Sequence, residues 1–259
     1  MSAFRLTLRQ VRYENTAFWR NPAASFFTFT FPLMFLIIFT GLLGNDTSTL
    51  PSGAEVSNST YYTASILAFS VITACYTNVA ISVVFARDQG ILKRVRGTPL
   101  PGPAYLLGRI VHSMLIMVLL VGIVLAFGRV FYSVDVPTES LPAFVVTLLV
   151  GAGAFCALGL ACTIAIPNAD AAPAVVNATV LPLLFLSGVF IPIDSAPTWM
   201  RTIADVFPVK HFLDAVFDSF LPSPGNPSGW ALGDVLFIAA WGIGALVVAA
   251  WRFSWEPRN

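Results

Sequence analysis

The chain has 259 residues, 57% of them hydrophobic and only 10% charged, with a formal net charge of +1 at pH 7. Soluble domains carry about a quarter charged residues, and a mean hydropathy of +0.80 leaves too little polar surface to cover a globule in water, so the composition points to a membrane protein. The near-zero net charge says nothing about nucleic acid, but no basic domain stands apart, and no nucleic-acid partner is expected.

Residues 1–22 read as an amphipathic interfacial helix. Phe4, Leu8, Val11 and Phe18 fall on one face, with Arg5, Arg9, Arg12 and Arg20 on a neighbouring one. Such a helix lies on the inner leaflet with its basic side toward the lipid head groups. The same arginines interrupt the segment too often for a cleaved secretory signal. Asn21-Pro22 then turns the chain.

Residues 23–259 are predicted to form one all-α transmembrane domain. A crossing helix needs about 20 apolar residues, and six runs qualify, at about 23–43, 61–86, 105–127, 141–166, 171–191 and 231–251. Pro32, Pro173 and Pro182 lie within them and predict kinks. The polar stretch 45–60 reads as an exposed loop, in which Asn58-Ser59-Thr60 fits the short glycosylation pattern. Cys75, Cys156 and Cys162 all sit in apolar runs, so no structural disulfide is expected.

Lys and Arg in the flanks orient the spans. Eleven of the 14 lie on the side that six spans give to both termini: Arg5, Arg9, Arg12, Arg20, Arg87, Lys93, Arg94, Arg96, Arg109, Arg252 and Arg258. Only Arg129, Arg201 and Lys210 lie opposite. Both termini are therefore expected in the cytoplasm.

The loop 87–103, RDQGILKRVRGTPLPGP, follows the second run. Ile91, Leu92 and Val95 are at helical spacing, and Gly97-Thr98-Pro99 stops the helix. Its cations can be read as a topology signal alone, or as the flanks of a short element that docks on lipid or on a protein. The outer segment 192–230 is too broken to cross and too aromatic to lie free in water. Two short amphipathic helices fit, about 197–206 and 209–220, with Pro208 between them, either interfacial or re-entrant.

No G-x-x-x-x-G-K-[ST] loop occurs: Gly90 and Gly97 are followed by Ile91 and Thr98. No paired His or Cys pattern suggests a metal, and His112 and His211 stand alone. No catalytic residue, metal or chain-bound cofactor is expected. The mid-span positions lack Asp, Glu, Lys and Arg, which weakens an ion-coupled mechanism. Gly153 with Ala157, Gly159 nearby, and Ala240 with Gly244 offer close helix contacts.

In this order of parts the chain resembles the integral-membrane subunits of ABC-2 type ABC transporters over nearly its whole length. Gly90-Ile91-Leu92-Lys93-Arg94-Val95-Arg96-Gly97-Thr98-Pro99 is similar to that family's G-T-L-x-x-L-x-x-T-P loop. Ser187-Gly188-Val189-Phe190-Ile191-Pro192, then Pro197-Thr198-Trp199 and Pro208, is similar to its S-G-x-x-x-P…L-P-x-W…P signature. Arg87, Asp88 and Ile91 stand where many members have Glu and Thr, and Ala196 where Leu is common.

The resemblance implies a permease subunit that pairs with a second copy of itself or a related permease. It implies a separate ABC ATPase holding ATP and Mg, with Arg87 to Thr98 and Pro99 as the coupling element seated in that ATPase. It also implies export of an amphiphilic drug, lipid or glycolipid from a bacterial inner (plasma) membrane. An ATP-independent secondary transporter or channel is the alternative.

Overall fold

The computed structural model describes residues 3–43, 47–49, 55–98, 100–190, 197–223 and 225–256. Ile191 to Ala196, Pro99 and most of the 45–54 loop lie outside these, so the expectations placed on Pro99, Pro192 and Ala196 do too. The helices in chain order are α1 (Ala3–Trp19), α2 (Pro22–Leu43), α3 (Asn58–Ile72), α4 (Asn78–Asp88), α5 (Ile91–Arg96), α6 (Gly102–Tyr132), α7 (Leu141–Cys162), α8 (Ala172–Leu186), α9 (Thr198–Val206), α10 (Pro208–Phe220) and α11 (Leu232–Arg252). A π-helical turn, Thr73–Thr77, joins α3 to α4 into one segment of 31 residues.

Among the described residues, five segments are long and apolar enough to cross a membrane: α2, α3 through α4, α6, α7 and α11. The fifth apolar run is different. Its helix, α8, has 15 residues and reaches only about 22 Å at 1.5 Å per residue. Ser187 to Phe190 continue as a buried turn rather than as helix, because Gly188 adopts a φ of 92°. Pro173 lies in the first turn of α8, where its missing N–H is not needed; Pro32 and Pro182 are interior.

The loop after α2 contains a short antiparallel hairpin, β1 (Thr47–Thr49) with β2 (Glu55–Ser57), that the sequence pattern did not suggest. The Asn58 side chain closes it, donating to Leu43 O at 3.0 Å. Asn58 is buried, which places the glycosylation pattern on a side chain already in use.

α7 is the axis of the bundle, and its small residues explain why. A Cβ on Gly159 would lie 2.7 Å from the Tyr76 carbonyl oxygen of the π turn. One on Gly151 would enter the Phe212 ring of α10, and one on Gly242 of α11 would meet Ala154 at 2.9 Å. The close contacts therefore run through Gly151, Ala154, Gly159 and Gly242. Gly153 and Gly244 of the expected pairs have room beside them.

α2 is held mostly by aromatic rings. Phe39 stacks on Tyr62 at 5.0 Å, and Phe35 meets Phe69 edge-on at 5.7 Å and Phe190 at 5.5 Å. Much of its remaining surface, including Phe26, Phe27, Ile37 and Leu42, is exposed.

α1 packs along α6, with a division of faces finer than the periodicity suggests. Val11 and Gln10 turn inward, while Phe4 and Leu8 stay exposed. Glu14 provides the inward anchor, accepting from Arg109 Nε at 3.2 Å and Nη2 at 3.1 Å. Gln10 donates to the same carboxylate at 2.8 Å and lies over Gly108, where a Cβ would be 2.6 Å from its side chain.

Gly159→Val should cost about 1–3 kcal/mol by overpacking against a carbonyl that cannot move away. Gly244→Ala, with nothing within 4 Å of the added atom, should leave stability unchanged. Thermal unfolding of the two purified variants in the same detergent checks this; equal midpoints would show that the α7 contact is not tight.

Candidate functional site

The loop between α4 and α6 lies at the end of the bundle that also holds the α7–α8 turn. Gly90 makes the corner between α4 and α5 with a φ of 67°, a left-handed conformation that suits glycine. The corner carries the chain out of α4 and straight into six further helical residues. The Thr98 hydroxyl donates to Val95 O at 2.7 Å and accepts from Leu100 N at 3.3 Å, closing α5 without another turn.

The two sides of this loop face opposite ways. Leu92 is fully buried in the main core, and Ile91 and Val95 pack beside it half-buried. Lys93, Arg94, Arg96, Gly97 and Thr98 are exposed. The apolar stripe of α5 is thus used by its own domain, and the surface it presents is basic. Arg94 leans back to donate to Gln89 O at 3.2 Å.

Arg87 points inward. With 2% exposure it is among the largest fully buried side chains. Its guanidinium donates to Thr163 O at 3.1 Å, Ile166 O at 2.7 Å and Pro167 O at 3.1 Å. These are the carbonyls at and just beyond the C-terminus of α7, where a cation suits the helix dipole. A buried charge is tolerated only when paired or hydrogen-bonded, and the turn provides the acceptors. Asp88 reaches the same turn, accepting from Ala169 N, with Arg87 Nε 3.7 Å from its other oxygen. Below the pair, Ala80 and Val84 of α4 form a small core with Ile166, Ala172 and Val176.

A second feature opens on the side of the bundle. A crevice of about 520 Å³ lies between α2, the π turn and α8. Phe27, Phe31 and Leu181 supply an apolar wall, and Thr73, Thr77, Asn78 and Asn177 supply polar groups. The Thr77 hydroxyl is buried with no hydrogen-bond partner among the described residues. π turns recur at functional sites because the extra residue redirects side chains. The sequence pattern gave no sign of this turn.

The residues of the second signature, Ser187 to Pro208, shape turns where they are described. Ser187 is buried and donates to Leu184 O at 3.1 Å; Gly188 offers its carbonyl to the Tyr61 hydroxyl at 2.8 Å. Phe190 is buried among Phe35, Phe39, Phe69 and Phe185. Pro197 precedes α9 and Pro208 opens α10, both where a helix start favours proline. Trp199 is 61% exposed, so it is not part of the core. Phe212, Phe217 and Phe220 of α10 are buried.

Beside α10 lies a charged cluster that sequence reasoning passed over. Lys210 bridges Asp205 at 2.7 Å and Asp214 at 3.4 Å, and His211 Nδ1 lies 2.6 Å from Asp234. Burial pulls the Lys210 ammonium down, but its two carboxylate partners raise it overall. Burial pushes the Asp214 carboxyl up to about 6, against the opposing pull of Lys210. The i,i+4 spacing of Lys210 and Asp214 was the available signal; Asp234 comes from α11 and gave none.

The ABC-2 type transporter family matches residues 6–221 of the chain. The chain is 24% identical over 209 residues to the "putative transport permease YvfS" of Bacillus subtilis, covering 81% of this chain and 82% of that protein. It is 25% identical over 162 residues to the "probable multidrug ABC transporter permease YbhR" of Escherichia coli, covering 62% of this chain but 44% of that longer protein. It is also 24% identical over 199 residues to the "putative transport permease ycf38" of Porphyra purpurea, covering 76% and 68%. The family match spans most of the chain, which therefore belongs to the ABC-2 type transporter family and is a multi-pass membrane protein.

The raised Asp214 has a defined consequence. Its native pKa lies above the ordinary 3.8, so the folded state takes up this proton before the unfolded state does. Its contribution to stability grows as pH falls through about 6 and is complete below about 4. Asp214→Asn should therefore raise the unfolding midpoint relative to wild type more at about pH 7.5 than at about pH 4.5. A pH-independent difference would mean that burial does not perturb this carboxyl.

Proposed function

We propose that this ABC-2 family member is the membrane-spanning permease subunit of an ATP-driven exporter in a bacterial inner membrane. Both termini and α5 face the cytoplasm, α1 lies at the inner interface, α8 completes six membrane segments, and α9 and α10 form the outer re-entrant pair. The Lys and Arg asymmetry, eleven of 14 on one side, supports this orientation. ATP and Mg are held by a separate ABC ATPase, since this chain has no phosphate-binding loop.

The observation that carries the reading is the division of α5. Its apolar side is spent on its own core, and Lys93, Arg94 and Arg96 project from a short rigid helix fixed at both ends. Three exposed cations on a fixed element suit an acidic cleft on a soluble partner. The docking face is accordingly read as Lys93, Arg94, Arg96 and Thr98, with Ile91, Leu92 and Val95 holding the helix in place.

The cargo is an amphiphile, such as a drug, lipid or glycolipid. The crevice beside the π turn joins an apolar wall to a few polar groups, which suits a molecule with both characters. Exposed aromatic residues of α2, such as Phe27, extend from that crevice onto the outside of the bundle. A second copy of this chain, or a related permease, lying along α2 would close the crevice into a path.

Replacing Lys93, Arg94 and Arg96 together with Glu tests the reading. All three side chains are exposed, so the fold should survive. Co-purification of the ATPase from the native host should fall at least about tenfold, a loss of roughly 1.4 kcal/mol, and transport should fall with it. Undiminished co-purification would move docking elsewhere, and transport without any ATPase would replace this reading with a secondary transporter.

A further inference from the structure

Arg87 and Asp88 stand at the base of the proposed coupling element, but they are turned away from any partner. Arg87 is 2% exposed, and its acceptors Thr163 O, Ile166 O and Pro167 O lie at the end of α7 and in the α7–α8 turn. Asp88 receives the Ala169 N–H from the same turn. The small core of Ala80, Val84, Ile166, Ala172 and Val176 continues the attachment along α4 and α8. Asn168 Oδ1 accepts from Ala171 N at 2.9 Å, so the turn is tied directly into the start of α8.

From this arrangement we infer that Arg87 and Asp88 are transmission residues: they fasten the end of α4, which carries α5, to the α7–α8 turn, so that a push on α5 moves α8 with it. The inference rests on the permease reading above and adds a route to it. A docking residue must reach the partner, and a guanidinium enclosed by three carbonyls cannot. A strut must instead be bonded at both ends to rigid elements. Arg87 belongs to α4, one residue from its end and directly before the α5 corner. Its acceptors belong to the segment that leads into α8. α8 in turn lines the crevice with Asn177, Val180, Leu181 and Leu184. Rotating α5 alone about Gly90 would leave the Arg87 hydrogen bonds intact but would pull the buried Leu92 out of the core; displacing α5, the end of α4, the turn and the start of α8 together keeps both. The second motion reaches the wall of the crevice, while the first would stop at the surface.

Carbonyls alone would favour any donor, so the guanidinium geometry is the specific part. Lys in its place would keep the charge and one or two contacts, but not the fork that spans Thr163 O and Ile166 O. Glutamine would lose both charge and reach.

The test uses the complete complex with its ATPase, reconstituted in Escherichia coli polar lipid. Spin labels are placed at Gly97→Cys, exposed at the end of α5 and outside the proposed docking face, and at Ala174→Cys on α8, with Cys162 replaced by Ala. Distances are measured without nucleotide and after trapping with ATP, Mg and vanadate. In the wild-type background the distance should keep one narrow distribution in both states. With Arg87→Gln, co-purification and ATP hydrolysis should stay within about twofold of wild type, while the trapped state broadens or splits. Arg87→Lys should recover part of the narrow population.

A narrow distribution in the Arg87→Gln complex after trapping would overturn the inference, as would loss of the ATPase from a folded Arg87→Gln protein, which would make Arg87 a docking residue. If Arg87→Gln does not fold, Asp88→Ala gives the same two outcomes, since it removes the acceptor for Ala169 N and the carboxylate beside Arg87 Nε but leaves the three carbonyl contacts of Arg87. A wild-type protein that binds no ATPase would overturn the permease reading itself, and this inference with it.

Discussion

A guanidinium kept from water needs acceptors, and most carbonyls in a helical bundle are already taken by the helices themselves. Arg87 finds its acceptors where a helix stops, at the end of α7 and in the turn beyond it. This single requirement fixes much of that end of the molecule. It ties the end of α4 to the end of α7 and holds the turn to α8 against α4. Removing one partner of such a contact strands buried polar groups, at a cost of about 1–3 kcal/mol each. The join is therefore hard to loosen gradually: it is either made or broken.

The other inward-turned polar side chains follow the same rule with different partners. Arg109 takes a carboxylate from α1 rather than carbonyls, and so turns an amphipathic helix into a packed one. The Tyr105 ring, 5.3 Å from the guanidinium, adds a further favourable contact. At the opposite end, Lys210 and His211 engage carboxylates from three elements. In each case the side chain lies toward an end of the bundle and ties two elements together. The middle of the bundle is held by close packing instead, through Gly151, Gly159 and Gly242, where van der Waals contact rather than water exclusion is the available force.

The parts of this structure legible in the sequence are those set by hydropathy and by glycine or proline. The limits of α2, α6, α7 and α11 follow the apolar runs to within a few residues, because a lipid-facing helix cannot end inside the hydrocarbon without exposing its backbone. α9 and α10 were legible from Pro197, Pro208 and their amphipathic spacing, and the α5 corner from Gly90 and Gly97. Other features were not. A flanking arginine looks the same whether it snorkels or turns inward, and only the position of the α7–α8 carbonyls, from residues 76 to 80 further along the chain, separates Arg87 from Lys93. The inward use of Leu92 was hidden for the same reason: an apolar stripe on a six-residue helix does not say which neighbour it meets. The π turn depends on how α3 and α4 pack on Gly159, and the shortness of α8 on a left-handed Gly188 within a run that remains apolar.

The two sides of the 87–103 loop also respond differently to their surroundings, and this bears on how an engine and a transport path could be joined. In the proposed assembly the exposed cations meet their partner through water, where charges are screened beyond about 8 Å at physiological ionic strength. That contact can be strengthened or weakened by salt or by single charges without touching the fold. Arg87 works in a dry site, where screening is slight and geometry dominates. In that assembly, strength of docking and fidelity of transmission would rest on different residues less than ten positions apart. A permease built this way could exchange one ATPase for another by altering its basic face alone, while the link from α5 to α8 stayed as it is.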